Sequence, residues 1–161
     1  MTIRKIQLKK KSTFSGFTLI ELLVVISILG VLASLLMVNI SGIRERVRDA
    51  RRKSDLKEIK AALRIYHNDG DDYPATDALP FGDEFSDASG TTVYMNQVPN
   101  DPLNNDDYQY YYRRAGQDDF LLRATLENSS DSDIQSSRTV CQGTIAEGDI
   151  SSENDYFVCS D

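Results

Sequence analysis

The sequence predicts an α+β protein in which a long N-terminal helix packs on a small antiparallel sheet. Three observations carry this prediction. No helix breaker occurs between about residue 18 and residue 67. Two strand-like segments, 108–113 and 120–126, flank a polar turn. A last strand candidate, Tyr156-Phe157-Val158, lies near the C-terminus.

Charge divides the chain into a basic leader, a hydrophobic stalk and an acidic head. The 161 residues carry a net charge of −7. Residues 1–16 hold five basic and no acidic side chains, whereas residues 65–161 hold twenty acidic and four basic ones. This length excludes a large multidomain enzyme, and the 40% of hydrophobic residues excludes a wholly disordered chain. The acidity argues against a nucleic-acid partner, which needs a basic face.

The hydrophobic stalk is long enough to cross a bilayer. From Leu22 to Ile43 there are 22 consecutive uncharged residues, and about 20 apolar residues span the hydrocarbon core. Two alternatives stay open. One is a buried core helix, and the other is a cleavable secretory signal cut after Ala33. The flanks carry five and six basic residues, so charge counting does not orient the segment.

The second half of the helix is predicted to be amphipathic. Its apolar positions recur at three- and four-residue spacing and predict one stripe facing the head. The stripe comprises Ile43, Val47, Ala50, Ser54, Leu56, Ile59, Leu63 and Tyr66. Charged residues between 49 and 60 are expected on the other faces. The arginine-rich patch at 44–53 has three interpretations: a lipid-headgroup anchor, a solvated helix face, or a contact with acidic heads of neighbouring subunits.

In the head, residues 68–107 contain all four prolines and predict a connecting segment with little regular structure. The strand 120–126 alternates, which places Phe120, Leu122, Ala124 and Leu126 on one face. This hairpin is expected to pack on the helix stripe. Residues 127–138 are polar and are predicted to form a loop.

The junction at Gly16 and Phe17 is the most informative part of the sequence. A basic leader ends at Gly16, and a lone carboxylate, Glu21, stands at the start of the apolar run. A charge inside an apolar environment needs a partner. Cleavage after Gly16 would create an α-amino group on Phe17. Positions i and i+4 share one helix face, so this amine, or that of a neighbour, could neutralise Glu21.

This stretch resembles the prepilin leader of type IV pilins and of the pseudopilins of type II secretion. Members have a basic leader ending in Gly, then a Phe-Thr-Leu-Ile-Glu-type sequence with Glu fifth, and here these positions are Gly16, Phe17 and Glu21. The resemblance implies that a prepilin peptidase cuts after Gly16 and N-methylates Phe17, and that Glu21 acts in assembly. Many relatives carry Pro near Val38, which is missing here.

The implied organisation is a removed leader (1–16), a membrane and filament-core helix (17–43), its amphipathic extension (44–67), and an acidic head (68–161). The order of elements also looks pilin-like. Tyr73-Pro74 and the segment 98–102 resemble the G-type major pseudopilin.

The function implied is that of a filament subunit of the type II secretion pseudopilus. The alternatives are a type IV pilus subunit, major or minor, and a membrane-anchored or secreted monomeric binding domain. The implied partners are copies of itself and related pilins, the prepilin peptidase, the inner-membrane assembly platform and the lipid bilayer. The implied location is the bacterial cytoplasmic membrane, with one span and an extracytoplasmic head, followed by a periplasmic or extracellular filament. No nucleophile elbow, P-loop or dinucleotide motif is present, so we expect no enzymatic activity.

Cys141 and Cys159 are the two cysteines, both in the tail. A bridge between them would close a loop of about 19 residues and match an oxidising compartment; two free thiols are the alternative. Many type IV pilins have a similar disulfide-closed C-terminal region. No cofactor is expected, although G-type pseudopilins have a calcium site after the hairpin. Asp131 and Asp133 are weak candidates, because the motif that forms that site is not recognisable and no twelve-residue calcium loop occurs.

Overall fold

The computed structural model describes residues 16–37, 40–70 and 72–160. They fall into two compact units that divide between Ile40 and Ser41. The elements in chain order are α1 (Leu19–Met37), α2 (Ile40–Gly70), β1 (Phe85–Ser86), β2 (Val93–Met95), β3 (Tyr111–Arg114), β4 (Phe120–Thr125), α3 (Ser132–Val140) and β5 (Asp155–Cys159). Val38, where the resemblance raised the missing proline, lies outside the described residues, as does Asn39.

The first unit contains α1, and the second contains α2 from its second residue onward and all the later elements. The prediction of an α+β protein with a helix on a small antiparallel sheet is confirmed. The main sheet has the order β3-β4-β5, and both pairings are antiparallel. In register, Tyr112 pairs with Leu122, and Leu122 pairs with Val158. The predicted hairpin and the predicted last strand are therefore both present.

The core of the second unit lies between α2 and one face of the main sheet. Leu56, Ile59 and Leu63 of α2 are buried there, as predicted. The sheet contributes Phe120, Leu122 and Ala124, and Leu126 follows directly, so the alternation of β4 places its side chains on the predicted face. The opposite face of β4 presents Leu121, which packs with Phe157, Cys141 and Cys159 in a second, smaller cluster.

One prediction about the connections is wrong. Residues 68–107 have little regular structure, as expected, apart from β1 and β2, which pair as a short antiparallel sheet. The segment 127–138 contains α3 in place of the predicted loop. Asp131 caps α3 by accepting a hydrogen bond from the Asp133 N–H, and Ile134 is buried in the core. A side-chain cap and one buried apolar residue stabilise this short helix, which lacks the long periodic pattern that predicts one.

Candidate assembly surfaces

The start of α1 is a capping box formed by Thr18 and Glu21. The Glu21 carboxylate accepts hydrogen bonds from the Thr18 N–H at 3.2 Å and from the Thr18 hydroxyl at 3.1 Å. The Glu21 N–H donates in turn to the Thr18 hydroxyl oxygen at 3.3 Å. This reciprocal pairing satisfies amides that a helix start leaves without partners. The carboxylate singled out in the sequence therefore has a role within its own chain.

The surface of α1 is apolar on all sides. Phe17 exposes 87% of its surface, and Ile20 and Val31 are also largely exposed. The two serines of α1 bond back to the helix, since Ser27 donates to the Leu23 carbonyl and Ser34 donates to the Val31 carbonyl. Within the part of the chain that the structure describes, no helix qualifies by length and hydropathy as a membrane span.

The buried face of α2 contains a cluster of charges that the sequence pattern did not predict. Arg52 is fully buried, and its guanidinium donates to Asp49, Asp101 and Glu127 at 2.7 Å each. The same guanidinium lies over the Tyr108 ring, 4.7 Å from its centroid. Charged residues are rarely buried unless they are paired, and here every carboxylate of the cluster has additional donors.

These additional donors connect α2 to loops far away in the chain. Asp49 accepts hydrogen bonds from the backbone N–H groups of Glu127 and Asn128, both at 2.9 Å. Arg48 donates to the Glu127 carboxylate through both Nε and Nη2. These hydrogen bonds from Arg48, followed by those from Arg52, lower the pKa of Glu127 despite its partial burial. The cluster thus fixes α2 to the loop after β4.

The arginine-rich patch is split by this arrangement. Arg48 and Arg52 pair with their own head, which none of the three sequence interpretations proposed. Arg44 and Arg46 are exposed, and Arg51 exposes 67% of its side chain, 3.8 Å from Asp55.

The prediction that the first half of the stripe on α2 faces the head is wrong. Ile43 and Val47 expose 59% and 63% of their surface, and Ala50 and Ser54 are exposed as well. In their place, Asp49, Arg52 and Asp55 are buried. α2 therefore has two apolar stripes on opposite faces, and only the stripe that begins at Leu56 packs on the head.

The C-terminal tail is held by a covalent bond and by an ion pair. The structure contains the predicted disulfide between Cys141, at the end of α3, and Cys159, at the end of β5. Arg113 of β3 donates to both carboxylate oxygens of Asp149, at 2.8 and 2.6 Å. Although partial burial opposes ionisation, the hydrogen bond from Arg113 lowers the pKa of Asp149. Both interactions tie the segment between α3 and β5 to the sheet.

The two calcium candidates do not fit a calcium site. Asp131 and Asp133 lie together at the start of α3, but both carboxylates bind the ammonium of Lys53 at 2.8 Å. The second Asp131 oxygen accepts from the Asp133 N–H. Calcium needs six to eight oxygen ligands. No group of three or more His, Cys, Asp or Glu suited to a metal occurs within the described ranges 16–37, 40–70 and 72–160.

Comparison with known proteins decides the family. Residues 11–37 match the prokaryotic N-terminal methylation motif, a range that includes Gly16, Phe17 and Glu21. The chain is 33% identical to type II secretion system core protein G of Aeromonas hydrophila over 140 residues, which are 78% of this chain and 93% of the relative. The chain belongs to the type II secretion system core protein G family.

Other core protein G relatives show similar agreement. The protein of Vibrio cholerae is 35% identical over 64% of this chain and 74% of its own length. The protein of Pseudomonas aeruginosa is 38% identical over 60% of this chain and 72% of its own length. No solved structure matches the chain significantly. The suspected resemblance to pseudopilins is confirmed, whereas cleavage after Gly16, methylation of Phe17 and assembly through Glu21 remain predictions.

Proposed function

We propose that this core protein G family member is a structural, non-enzymatic subunit of a type II secretion pseudopilus. It is made as a precursor, anchored in the cytoplasmic membrane with its head outside the cytoplasm, and polymerised with copies of itself and with related pilins. The observation that carries the proposal is the resemblance to the Aeromonas relative over 93% of that protein, combined with the methylation motif at 11–37. Cleavage falls between Gly16 and Phe17, and the new amine on Phe17 is methylated.

The exposed apolar surface of α1 supports this proposal. A helix that is apolar on all sides needs lipid or other apolar helices around it. In the membrane, lipid surrounds α1, and in the filament, the α1 helices of neighbouring copies replace the lipid. The heads then form the outer surface of the filament, where their acidic side chains stay in water.

Glu21 has two roles in this scheme. Its carboxylate caps α1 through Thr18 within one chain. In the filament, the same carboxylate neutralises the amine of Phe17 of an adjacent copy, because an unpaired charge in an apolar bundle is costly. The prepilin peptidase and the membrane-embedded assembly platform are the other partners of the proposal.

The decisive experiment is intact-mass analysis of the mature chain, using the variant Gly16→Leu. We expect the parent chain to begin at methylated Phe17, and the variant to accumulate at full length in the membrane. The matched control is Gly30→Leu, the same substitution at a glycine of α1 where an added Cβ meets no atom within 4 Å. This control should be cleaved normally. A mature chain beginning at Ser34 would contradict the proposal and indicate an ordinary secretory signal.

A further inference from the structure

We propose that the outer face of α2 docks on the acidic head of a second copy, with an arginine from one of its flanks, Arg44 or Arg46, entering a cleft between the end of α2 and β2. The outer face is defined here as Ile43, Arg44, Arg46, Val47, Ala50 and Arg51. The acidic cleft is lined by Tyr66, Asp69, Asp87 and Tyr94. The inference rests on the proposed function, because copies of a filament subunit must contact one another.

The outer face has the composition of an interface, and its apolar side chains stay exposed in their own unit. Ile43, Val47 and Ala50 are spaced four and three residues apart, so they form one line along the helix. All three are exposed. Arg44 and Arg46 flank this line and make no ion pair within the described residues, in contrast to Arg48 and Arg52 nearby. Apolar side chains flanked by arginines are typical of a docking surface.

The acidic cleft has the complementary chemistry. It has a volume of about 590 Å³ and carries two carboxylates, and no basic side chain lines it among the described residues. Tyr66 and Tyr94 meet edge to face at 5.2 Å, and tyrosine faces bind guanidinium groups through cation–π contacts. Burial and then the Asp69 carboxylate raise the pKa of Tyr94, with Asp87 and Tyr66 adding to the rise.

The position of Asp69 in the last turn of α2 strengthens the argument. The carbonyl end of a helix carries a partial negative charge, so a carboxylate there is electrostatically unfavourable within its own chain. A cation from another copy would relieve the repulsion between Asp69 and the helix end. The cleft therefore favours a basic side chain.

Charge also determines how two copies meet. Pairing two outer faces about a two-fold axis would bring the arginines of both copies together, and like charges that face each other across an interface repel. Placing the outer face of one copy on the acidic cleft of the next brings opposite charges together. Such a heterologous contact leaves one free outer face and one free cleft at the ends, so it propagates as an open helical assembly.

Cysteine cross-linking of the full chain in its bacterial membrane tests this contact. Val47→Cys is placed on the outer face and Asn68→Cys at the cleft, which Asn68 also lines. We expect the double variant to give a ladder of cross-linked multimers under oxidising conditions, and each single variant to remain monomeric. Peptide mapping must show the native disulfide between Cys141 and Cys159 intact. Dimers from Val47→Cys alone would indicate symmetric pairing and overturn the proposal.

Charge reversal in the double-cysteine background provides a second, independent test. We expect Arg44→Glu with Arg46→Glu, or Asp69→Lys alone, to reduce the ladder at least about tenfold, and the two combined to restore it. Glu153→Lys is the matched control, because it reverses an exposed head carboxylate that does not line the cleft. It should leave the ladder unchanged.

The N-terminal mass and electron microscopy separate this inference from the proposed function. Filaments of correctly cleaved chains without a ladder would overturn the docking contact and leave the subunit role intact. That outcome would leave lipid headgroups as the partners of Arg44 and Arg46. Chains that are neither cleaved at Gly16 nor assembled would overturn the proposed function as well.

Discussion

Replacing the buried Arg52 with Met tests whether the charge cluster holds α2 on the head. Arg52 has no exposed surface, and Asp49 and Asp101 are also buried. The variant keeps most of the side-chain volume but leaves these two carboxylates without their cation. Removing one partner of a buried pair costs about 3–5 kcal/mol. Since the free energy of unfolding of small domains is about 5–15 kcal/mol, we expect Arg52→Met to remove a large part of the stability of the head.

The assay is urea unfolding of the full chain in detergent, monitored by its ellipticity. In thermal unfolding, the same decrease in the free energy of unfolding corresponds, for a unit of this size, to a melting temperature lower by roughly 10–20 °C. Arg51→Met is the matched control: the neighbouring arginine is mostly exposed and lies 3.8 Å from its carboxylate, so its loss should cost below about 1 kcal/mol. Arg52→Lys should be intermediate, because an ammonium cannot reproduce the fork of guanidinium bonds. Equal stabilities of the two Met variants would refute a stabilising role of the cluster.

Three further predictions concern assembly, the tail and pH. Glu21→Leu should leave cleavage intact but suppress filaments, because removing one partner of a buried ion pair costs about 3–5 kcal/mol and the new N-terminal amine loses its carboxylate. Thr18→Val, which removes only the cap, should still assemble. Normal filaments from the Leu variant would exclude Glu21 from assembly. Replacing Cys141 and Cys159 with Ser should cost about 3 kcal/mol in urea unfolding, and two alkylatable thiols in unreduced exported chain would contradict the bridge. The pKa of Glu127 in the folded protein lies below its usual 4.5, so the stabilising contribution of its carboxylate is present above that pH and is lost as the pH falls through the folded pKa. The urea midpoint should therefore fall on acidification, and it should fall less in Glu127→Gln. Parallel pH profiles of the two proteins would contradict this.

The parts of the fold that the sequence predicted correctly have local patterns. Alternation places Phe120 and Leu122 on one face of β4, and helical spacing places Ile59 and Leu63 on one face of α2; both faces are buried. The sequence pattern does not predict α3, because its short sequence is mostly polar and its stability comes from the Asp131 cap and from burial of Ile134. Such tertiary contributions do not appear in a periodicity count.

The charge cluster shows a different limit of sequence analysis. The predicted stripe treats every arginine of α2 as a solvent-facing side chain, although Arg52, unlike Arg51, lies four residues before Leu56 on the buried face. That spacing does not reveal its partners, which are 49 and 75 residues away, Asp101 and Glu127. A second signal is that Asp101 lies in the segment 98–102, which resembles the major pseudopilin. That resemblance could have marked Asp101 as structural, but it could not have identified its partner.

The long-range character of these contacts has a consequence for folding during export. Arg48 binds Glu127 across 79 residues, and Arg64 donates to the Ser160 carbonyl across 96 residues. β5, the last strand, pairs with β4 and covers Leu121. Long-range contacts of this kind slow folding, and the central strand β4 has no partner on one side until residue 159 has been translocated. The order of translocation therefore makes closure of the sheet, and the bridge to Cys159, the final steps of head folding. A nascent head exposes an unpaired strand edge throughout its passage.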